Sequence, residues 1–308
     1  MSVVPVPVRR PRRRRRTRLQ RKQTRLAWLL LLPSILVVVF VALYPLGKTI
    51  YQSFTDQEFL ALEPTKWVGL ENYKNLWHDA EFRHSIWVTI KFTLITVVFE
   101  FALGLAIALV VNSKFKGRGL MRAVMLVPWA IPTVVAAQMW KWMLDDVYGV
   151  VNDAGVKAHI ISHQHAWIAD PATSLASVCA VDIWKTTPFV ALLLLAGLQV
   201  IPNDLYEAAA VDGASLLQQF WRITLPLLRP AILVALIFRT LDALRVYDVF
   251  AVLIGNRTDI SSIAVYDQTT IVGDGNVGYG AAISVAIFLI IAIFVVIYVT
   301  VSRSVSDE

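Results

Sequence analysis

The chain has 308 residues, of which 57% are apolar and only 17% charged, and its mean hydropathy is +0.61. A soluble domain of this size carries about a quarter charged residues, so an ordinary water-soluble fold is excluded. The formal charge of +7 is concentrated, because eleven Lys and Arg lie between Arg9 and Arg25 and the remainder is slightly acidic; that distribution argues for topology at a membrane and against nucleic acid as a partner.

The basic tail, residues 1–25, is expected to be disordered and cytoplasmic, resting on the anionic headgroups of membrane lipid. Behind it, Leu26 to Leu46 is too long for a cleaved secretory leader and lacks a small-x-small site, so it reads as a retained signal anchor. Six apolar segments have the length a helix needs to cross about 30 Å of hydrocarbon: 26–47, 85–111, 120–142, 174–200, 230–254 and 279–302. The fold class is therefore an all-α membrane protein, with one membrane domain over 26–303 and a short C-terminus, 304–308.

The connections then sort by charge. Residues 48–84, 145–173 and 255–278 hold thirteen of the 22 acidic residues, while 112–119 carries Lys114, Lys116 and Arg118. Basic connections stay inside, so the acidic three are expected outside and both termini in the cytoplasm. The first outer connection contains Trp67, Tyr73 and Trp77, which fit either an interfacial belt or a small folded cap. Pro128 and Pro132 in the third span and Pro188 in the fourth predict kinks, which serve packing or a hinge. Cys179 is the single cysteine, which leaves no intramolecular disulfide framework and no thiolate metal cluster.

Between the fourth and fifth spans, residues 201–229 read as two short helices. Pro202 ends the membrane helix, Asp204 with Glu207 predicts a capping-box start, Gly213 predicts a turn at a close approach, and Pro226 opens the next segment. The first of these helices would combine apolar Leu205, Ala208, Ala209 and Val211 with the charges of Glu207 and Asp212, a surface suited to docking a partner.

Glu207-Ala208-Ala209, then three residues, Gly213, nine residues, and Ile223-Thr224-Leu225-Pro226 resemble the signature of permease subunits of binding-protein-dependent ABC importers, at every fixed position and both spacings. The resemblance covers nearly the whole chain after the tail. Leu32-Pro33, Tyr44-Pro45, Gly69 to Tyr73, Val127-Pro128, Ile131-Pro132 and Trp184 to Phe189 are similar to the carbohydrate-uptake branch, nearest the maltose- and trehalose-type first permeases. What this resemblance implies is a type I ABC importer permease in a bacterial or archaeal cell (inner) membrane. It would pair with a second permease, two ATPase subunits and an external sugar-binding protein, and itself hold no cofactor, ATP and Mg being bound by the ATPases. In that scheme Glu207, Ala208, Ala209, Asp212, Gly213, Ile223, Leu225 and Pro226 form the ATPase-coupling segment, and the chain is not an enzyme.

The fifth span carries Arg239, Asp242, Arg245 and Asp248 at intervals of three. Each intramembrane charge costs about 2.5–3.5 kcal/mol on insertion scales, so these groups should pair or face water. The spacing predicts Arg239 beside Asp242 and Asp242 beside Arg245, either as an ion-pair ladder locking the permease heterodimer or as a polar solute pathway. The family resemblance favours Thr186, Phe189, Arg239, Asp242 and Arg245 for solute contact, with Phe189 or Tyr247 stacking on a sugar ring. Asp182 and Lys185 are expected to neutralise each other, and Lys91 and Glu100 have no assigned partner. Alternatives are an ABC permease for another solute such as glycerol phosphate, and an ion-coupled secondary transporter using Asp182, Asp242 and Lys91. Gly47-Lys48-Thr49 lacks the glycine a phosphate-binding loop needs at position 42, and His159, His163 and His165 have only Asp170 as a companion for a metal.

Overall fold

The computed structural model describes residues 18–60, 64–113 and 115–306, with side chains from 22 to 300; the expectations for residues 1–17 and for the last two residues lie outside this range. The chain divides into two units, residues 1–51 and 52–308, and each is described by itself.

In the first unit the described residues form one continuous helical rod that is already helical from Arg18, within the tail expected to be disordered, and is apolar from Leu26 onward. Helix α1 (Arg18–Val38) passes through a π-helical turn, Val39–Leu43, into α2 (Tyr44–Gln52). Its candidate span, Lys22–Gln52, has none of its apolar window buried. Leu and Val side chains on all faces are stable only in lipid or against another chain.

The second unit is a helical bundle. In order it contains α3 (Glu71–His78), α4 (Ala80–Asn112), α5 (Arg118–Ala130), α6 (Thr133–Met143), α7 (Val150–Lys157), α8 (Pro171–Val200), α9 (Asn203–Val211), α10 (Leu216–Gln219), α11 (Leu225–Leu244), α12 (Asp248–Leu253), α13 (Ile263–Gln268) and α14 (Val277–Ser306). Among the described residues there is no strand, only two isolated bridges. Helix α8 is the central post, with 61% of its apolar window buried against 28% for α4 and 17% for α14. Gly104 on α4 and Gly197 on α8 permit this packing. A Cβ at Gly104 would stand 3.0 Å from Val190 Cγ1, and one at Gly197 would stand 2.4 Å from Ala231 Cβ on α11. Small residues at such crossings bring helix backbones together where lipid offers no hydrophobic drive.

Two spans differ from the sequence expectation. The third is broken rather than kinked: α5 and α6 meet at 89° across Ile131 and Pro132, whose extended backbone ends one helix and starts the next. The fifth begins and ends earlier than 230–254. It runs from Leu216 through a π-helical turn (Phe220–Thr224) to Leu244, and Asp248–Leu253 is a separate short helix packed against α6. Pro188, by contrast, lies inside an unbroken α8.

The three acidic connections assemble at one end of the bundle, as a folded cap. Asn72 Nδ2 donates to Ser53 O and Thr55 O at 3.0 and 2.9 Å, and Tyr73 Oη lies 2.6 Å from Ser53 Oγ. Backbone bonds from Phe59 to Gly275 and from Gly278 to Gln57, both 2.8 Å, tie this layer to the start of α14. Arg257 Nη1 donates to Ile168 O at 2.7 Å, joining the second and third connections. Asn152 organises α7 by donating to Asp145 O and His165 O while its Oδ1 accepts from the Trp167 indole. Of the three loop histidines, His165 bonds to Thr173 and lies 3.4 Å from Asp170, and no group of three metal-ligating side chains occurs among the described residues.

Candidate functional site: an exposed elbow and a charged pocket

At the opposite end from the cap, α9 and α10 form an elbow between α8 and α11. Pro202 is the N-cap of α9 and makes no side-chain bond, so the capping box expected at Asp204 and Glu207 does not form; Asp204 instead sits in the first turn, where the helix dipole favours an acid. The capping box is one helix later. Ser215 Oγ accepts from Gln218 N and Gln218 Oε1 accepts from Ser215 N, opening α10.

The end of α9 is a Schellman motif, with Ala214 N bonded to Ala209 O at 2.9 Å and Gly213 N to Ala210 O at 3.1 Å. Gly213 takes φ +80 and has nothing within 4 Å of where a Cβ would stand, so glycine is needed here for its backbone and not for a close approach. Glu207, Ala208, Asp212 and Gly213 are exposed, and Ala209, Ile223, Leu225 and Pro226 are half-buried. Leu205, Val211, Leu216, Leu217 and Trp221 are exposed apolar neighbours. The elbow is nonetheless fixed to the bundle: Tyr206 Oη lies 3.0 Å from the buried Thr224 Oγ1 at the root of α11.

Midway along the bundle is a pocket of about 440 Å³ between α5, α8, α11 and α14, lined by Trp129, Thr186, Phe189, Phe238, Arg239, Asp242 and Arg245 among others. Trp129 and Phe189 stack there at 5.9 Å and 17°. Five of the six solute-pathway residues named from sequence therefore share one cavity. Tyr247 does not: it precedes α12 and packs on the apolar cluster containing Val249 and Phe250.

The charges of the fifth span are joined across helices more than along one. Arg239, 2% exposed, bonds through Nε to Glu100 on α4 and through Nη2 to Asp182 on α8, and through Nη1 to Asp242 at 3.3 Å. Glu100 Oε1 also accepts from Thr186 Oγ1 at 2.5 Å. Of the expected contacts, Arg239 to Asp242 is present. The pairing of Asp242 with Arg245 is absent, because α11 ends at Leu244 and Arg245 leaves the helical register with φ −116. Asp182 bonds directly to Arg239, while Lys185 acts on it only through the electrostatic attraction the spacing predicts, with no direct ion pair. The ladder expected to lock two permeases together is thus, for Arg239, a knot within this chain. Glu100 has no partner within helical reach in the sequence, and its partner lies on another helix. A fully buried acid in an apolar span requires a cation, and that requirement was the available signal. Lys91, also unassigned, lies exposed with its ammonium 5.4 Å from the Trp87 ring.

Outside the spans, two cap carboxylates are displaced in opposite directions. Burial pushes Asp79 up, but bonds from Tyr266 Oη at 2.5 Å and Tyr279 Oη at 2.6 Å, with the Phe82 and Glu81 amides, outweigh it and hold the carboxyl below its ordinary value. Asp267 is pushed up to about 6 by burial, against the single donor Ser284 Oγ at 2.7 Å; its other oxygen is buried without a partner.

A bundle of long apolar helices with a broken third span, a mid-bundle polar pocket and an exposed helical elbow defines a membrane permease. The chain belongs to the family described as binding-protein-dependent transport system inner membrane component, matched over residues 100–307. It is similar to the trehalose/maltose transport system permease protein MalF of Thermococcus litoralis, 39% identical over 93% of this chain and 97% of that one. It is also similar to the trehalose transport system permease protein SugA of Mycobacterium tuberculosis, 37% identical over 92% and 91%, and to the sulfoquinovosyl glycerol transport system permease protein SmoG of Agrobacterium fabrum, 38% over 91% of each. The fold superposes with a TM-score of 0.81 on a bacterial ABC transporter involved in import of the acidic polysaccharide alginate, at 24% identity over 94% of this chain and 99% of that one. The chain is accordingly an inner-membrane permease subunit with the type I ABC importer fold, of a kind that works with ATPase subunits and a binding protein.

Proposed function

We propose that this subunit translocates a sugar, a disaccharide such as trehalose or maltose, delivered by an external binding protein. It pairs with a second permease and stands on two ATPase subunits, which bind ATP and Mg; the cap end faces outward and both termini lie in the cytoplasm of a bacterial or archaeal cell. The observation that carries this reading is the elbow. A nine-residue helix with a fixed C-terminal turn, exposed Glu207 and Asp212, and an apolar fringe supplies a rigid lever between two spans. Force applied to Glu207, Ala208, Ala209, Asp212 and Gly213 passes through Ile223, Leu225 and Pro226 into α11, whose far end carries Arg239 and Asp242 into the pocket.

The pocket supports the sugar assignment. Trp129 and Phe189 offer aromatic faces for a pyranose ring, and Thr186, Asp242 and Arg245 offer donors and acceptors for hydroxyls. The names of the relatives favour the same solute class, MalF and SugA being trehalose or maltose permeases. The deciding experiment is ATPase activity of the assembled complex with its binding protein across trehalose, maltose, glycerol 3-phosphate and amino acids. Stimulation by trehalose or maltose is expected; stimulation confined to glycerol 3-phosphate or an amino acid refutes the sugar reading. Solute movement by this chain without any ATPase subunit would favour an ion-coupled carrier instead.

A further inference from the structure

Glu100 and Asp182 are 0% and 4% exposed, so neither touches a solute in the pocket. Both bind one guanidinium, Glu100 through Oε2 while its Oε1 accepts from Thr186 Oγ1, and what they fix is the orientation of Arg239. A guanidinium is planar and rigid; once Nε is held by Glu100 on α4 and Nη2 by Asp182 on α8, the position of Nη1 is determined. Nη1 is the arm that meets Asp242 Oδ2 at 3.3 Å. The Asp242 side chain is 66% exposed and lines the pocket, and its Oδ1 has no protein partner among the described residues.

We propose that Glu100 and Asp182 are positioning residues that, through Arg239, hold Asp242 as the pocket's hydrogen-bond acceptor, and that the resulting wall selects an uncharged polyhydroxyl solute over an anionic one. This deepens the sugar reading and rests on it. The charges favour the same class. Glu100, Asp182 and Asp242 stand against Arg239, the buried Lys185 and Arg245, so the cluster carries no surplus of positive charge for an anion, and its exposed part presents one carboxylate, Asp242, and one guanidinium, Arg245. An O–H group gains a charged acceptor at Asp242 and a ring or hydroxyl oxygen gains a donor at Arg245, whereas a phosphate or sulfonate gains one contact and meets repulsion at the other. Arg239 itself acts through Asp242 and is not a solute ligand.

The test is a double-mutant cycle in the assembled transporter in proteoliposomes, with binding protein, following uptake of labelled trehalose or maltose. Asp242→Asn is expected to raise KM about tenfold by weakening a charged acceptor. Glu100→Gln and Asp182→Asn, each distant from the solute, are expected to raise KM by a similar factor with kcat little changed, and either one combined with Asp242→Asn should be no worse than Asp242→Asn alone. Additive effects, or a fall in kcat with KM unchanged, overturn the positioning role, as does failure of both buried-site variants to assemble while Asp242→Asn assembles with normal KM. Wild-type uptake of glycerol 3-phosphate with no uptake of either disaccharide overturns the solute class and the sugar reading with it. Normal disaccharide uptake by the wild type with no KM change in the variants overturns the positioning role alone.

Discussion

Asp267 and Asp79 act on the cap with opposite pH dependences, because burial dominates one and donors dominate the other. Asp267 titrates near 6 in the fold and near its ordinary 3.8 when unfolded, so the folded cap binds the extra proton between those values. Its contribution is therefore favourable at low pH and is lost as pH rises through about 6. Asp267→Asn should raise the Tm of the assembled complex at pH 7.5, and the gain should be clearly smaller near pH 5 because it fades as pH falls from about 6 toward 3.8. A Tm gain of equal size at both values would show that the carboxyl is not the cause. Asp79 has the reverse sign: its held-down carboxyl stabilises the cap above the ordinary carboxylate range, and that support disappears as pH falls through its lowered value. Single-residue roles were legible in the sequence only where the partner lies nearby in the chain. Arg239 with Asp242, three residues apart, was readable from helical spacing. Glu100 with Arg239, separated by 139 residues, was not, since nothing local records which helices touch.

At the scale of elements, the elbow and the helix crossings make separate predictions. Gly213→Ala forces a Cβ into a left-handed residue at a cost of about 1 kcal/mol, in a turn that sets the direction of the lever. Assembly should survive, and the number of solutes moved per ATP should fall. Unchanged coupling would mean that the Schellman turn does not aim α9. Gly197→Ala places a methyl 2.4 Å from Ala231 Cβ and should destabilise the α8–α11 contact by about 1–3 kcal/mol. Adding Ala231→Gly should restore part of the lost Tm, and no restoration would place the strain elsewhere. Elements were legible by length and hydropathy, which is why five of the expected segments coincide with long apolar helices and the sixth with the bent pair α5 and α6. Their breaks were less so. Pro128 and Pro132 predicted a bend, but the turn of 89° depends on Ile131 taking extended backbone next to a proline that cannot continue the helix. The end of the fifth span at Leu244 has no proline or glycine to announce it. The regular spacing of Arg239, Asp242, Arg245 and Asp248 suggested one continuous helix where the chain turns.

For the whole molecule, the cap, pocket and elbow form a series along the bundle axis. The acidic connections fold together at one end, the aromatic and charged wall lies between, and the exposed α9 stands at the other. The two short helices of the elbow were readable from Pro202, Gly213 and Pro226, because their boundaries are set by local turns. The pocket was readable only in part, because its walls come from four helices and its geometry depends on their packing. The central claim is that a separate ATPase drives this conduit through residues 203–213. The most direct measurement is ATP-dependent uptake of labelled trehalose or maltose by the reconstituted complex carrying Glu207→Lys, with ATPase subunit retention measured on the same sample. The expected result is a folded permease whose uptake falls at least tenfold, through loss of the ATPase or of its coupling. Wild-type uptake with ATPase still driving it in that variant would contradict the claim.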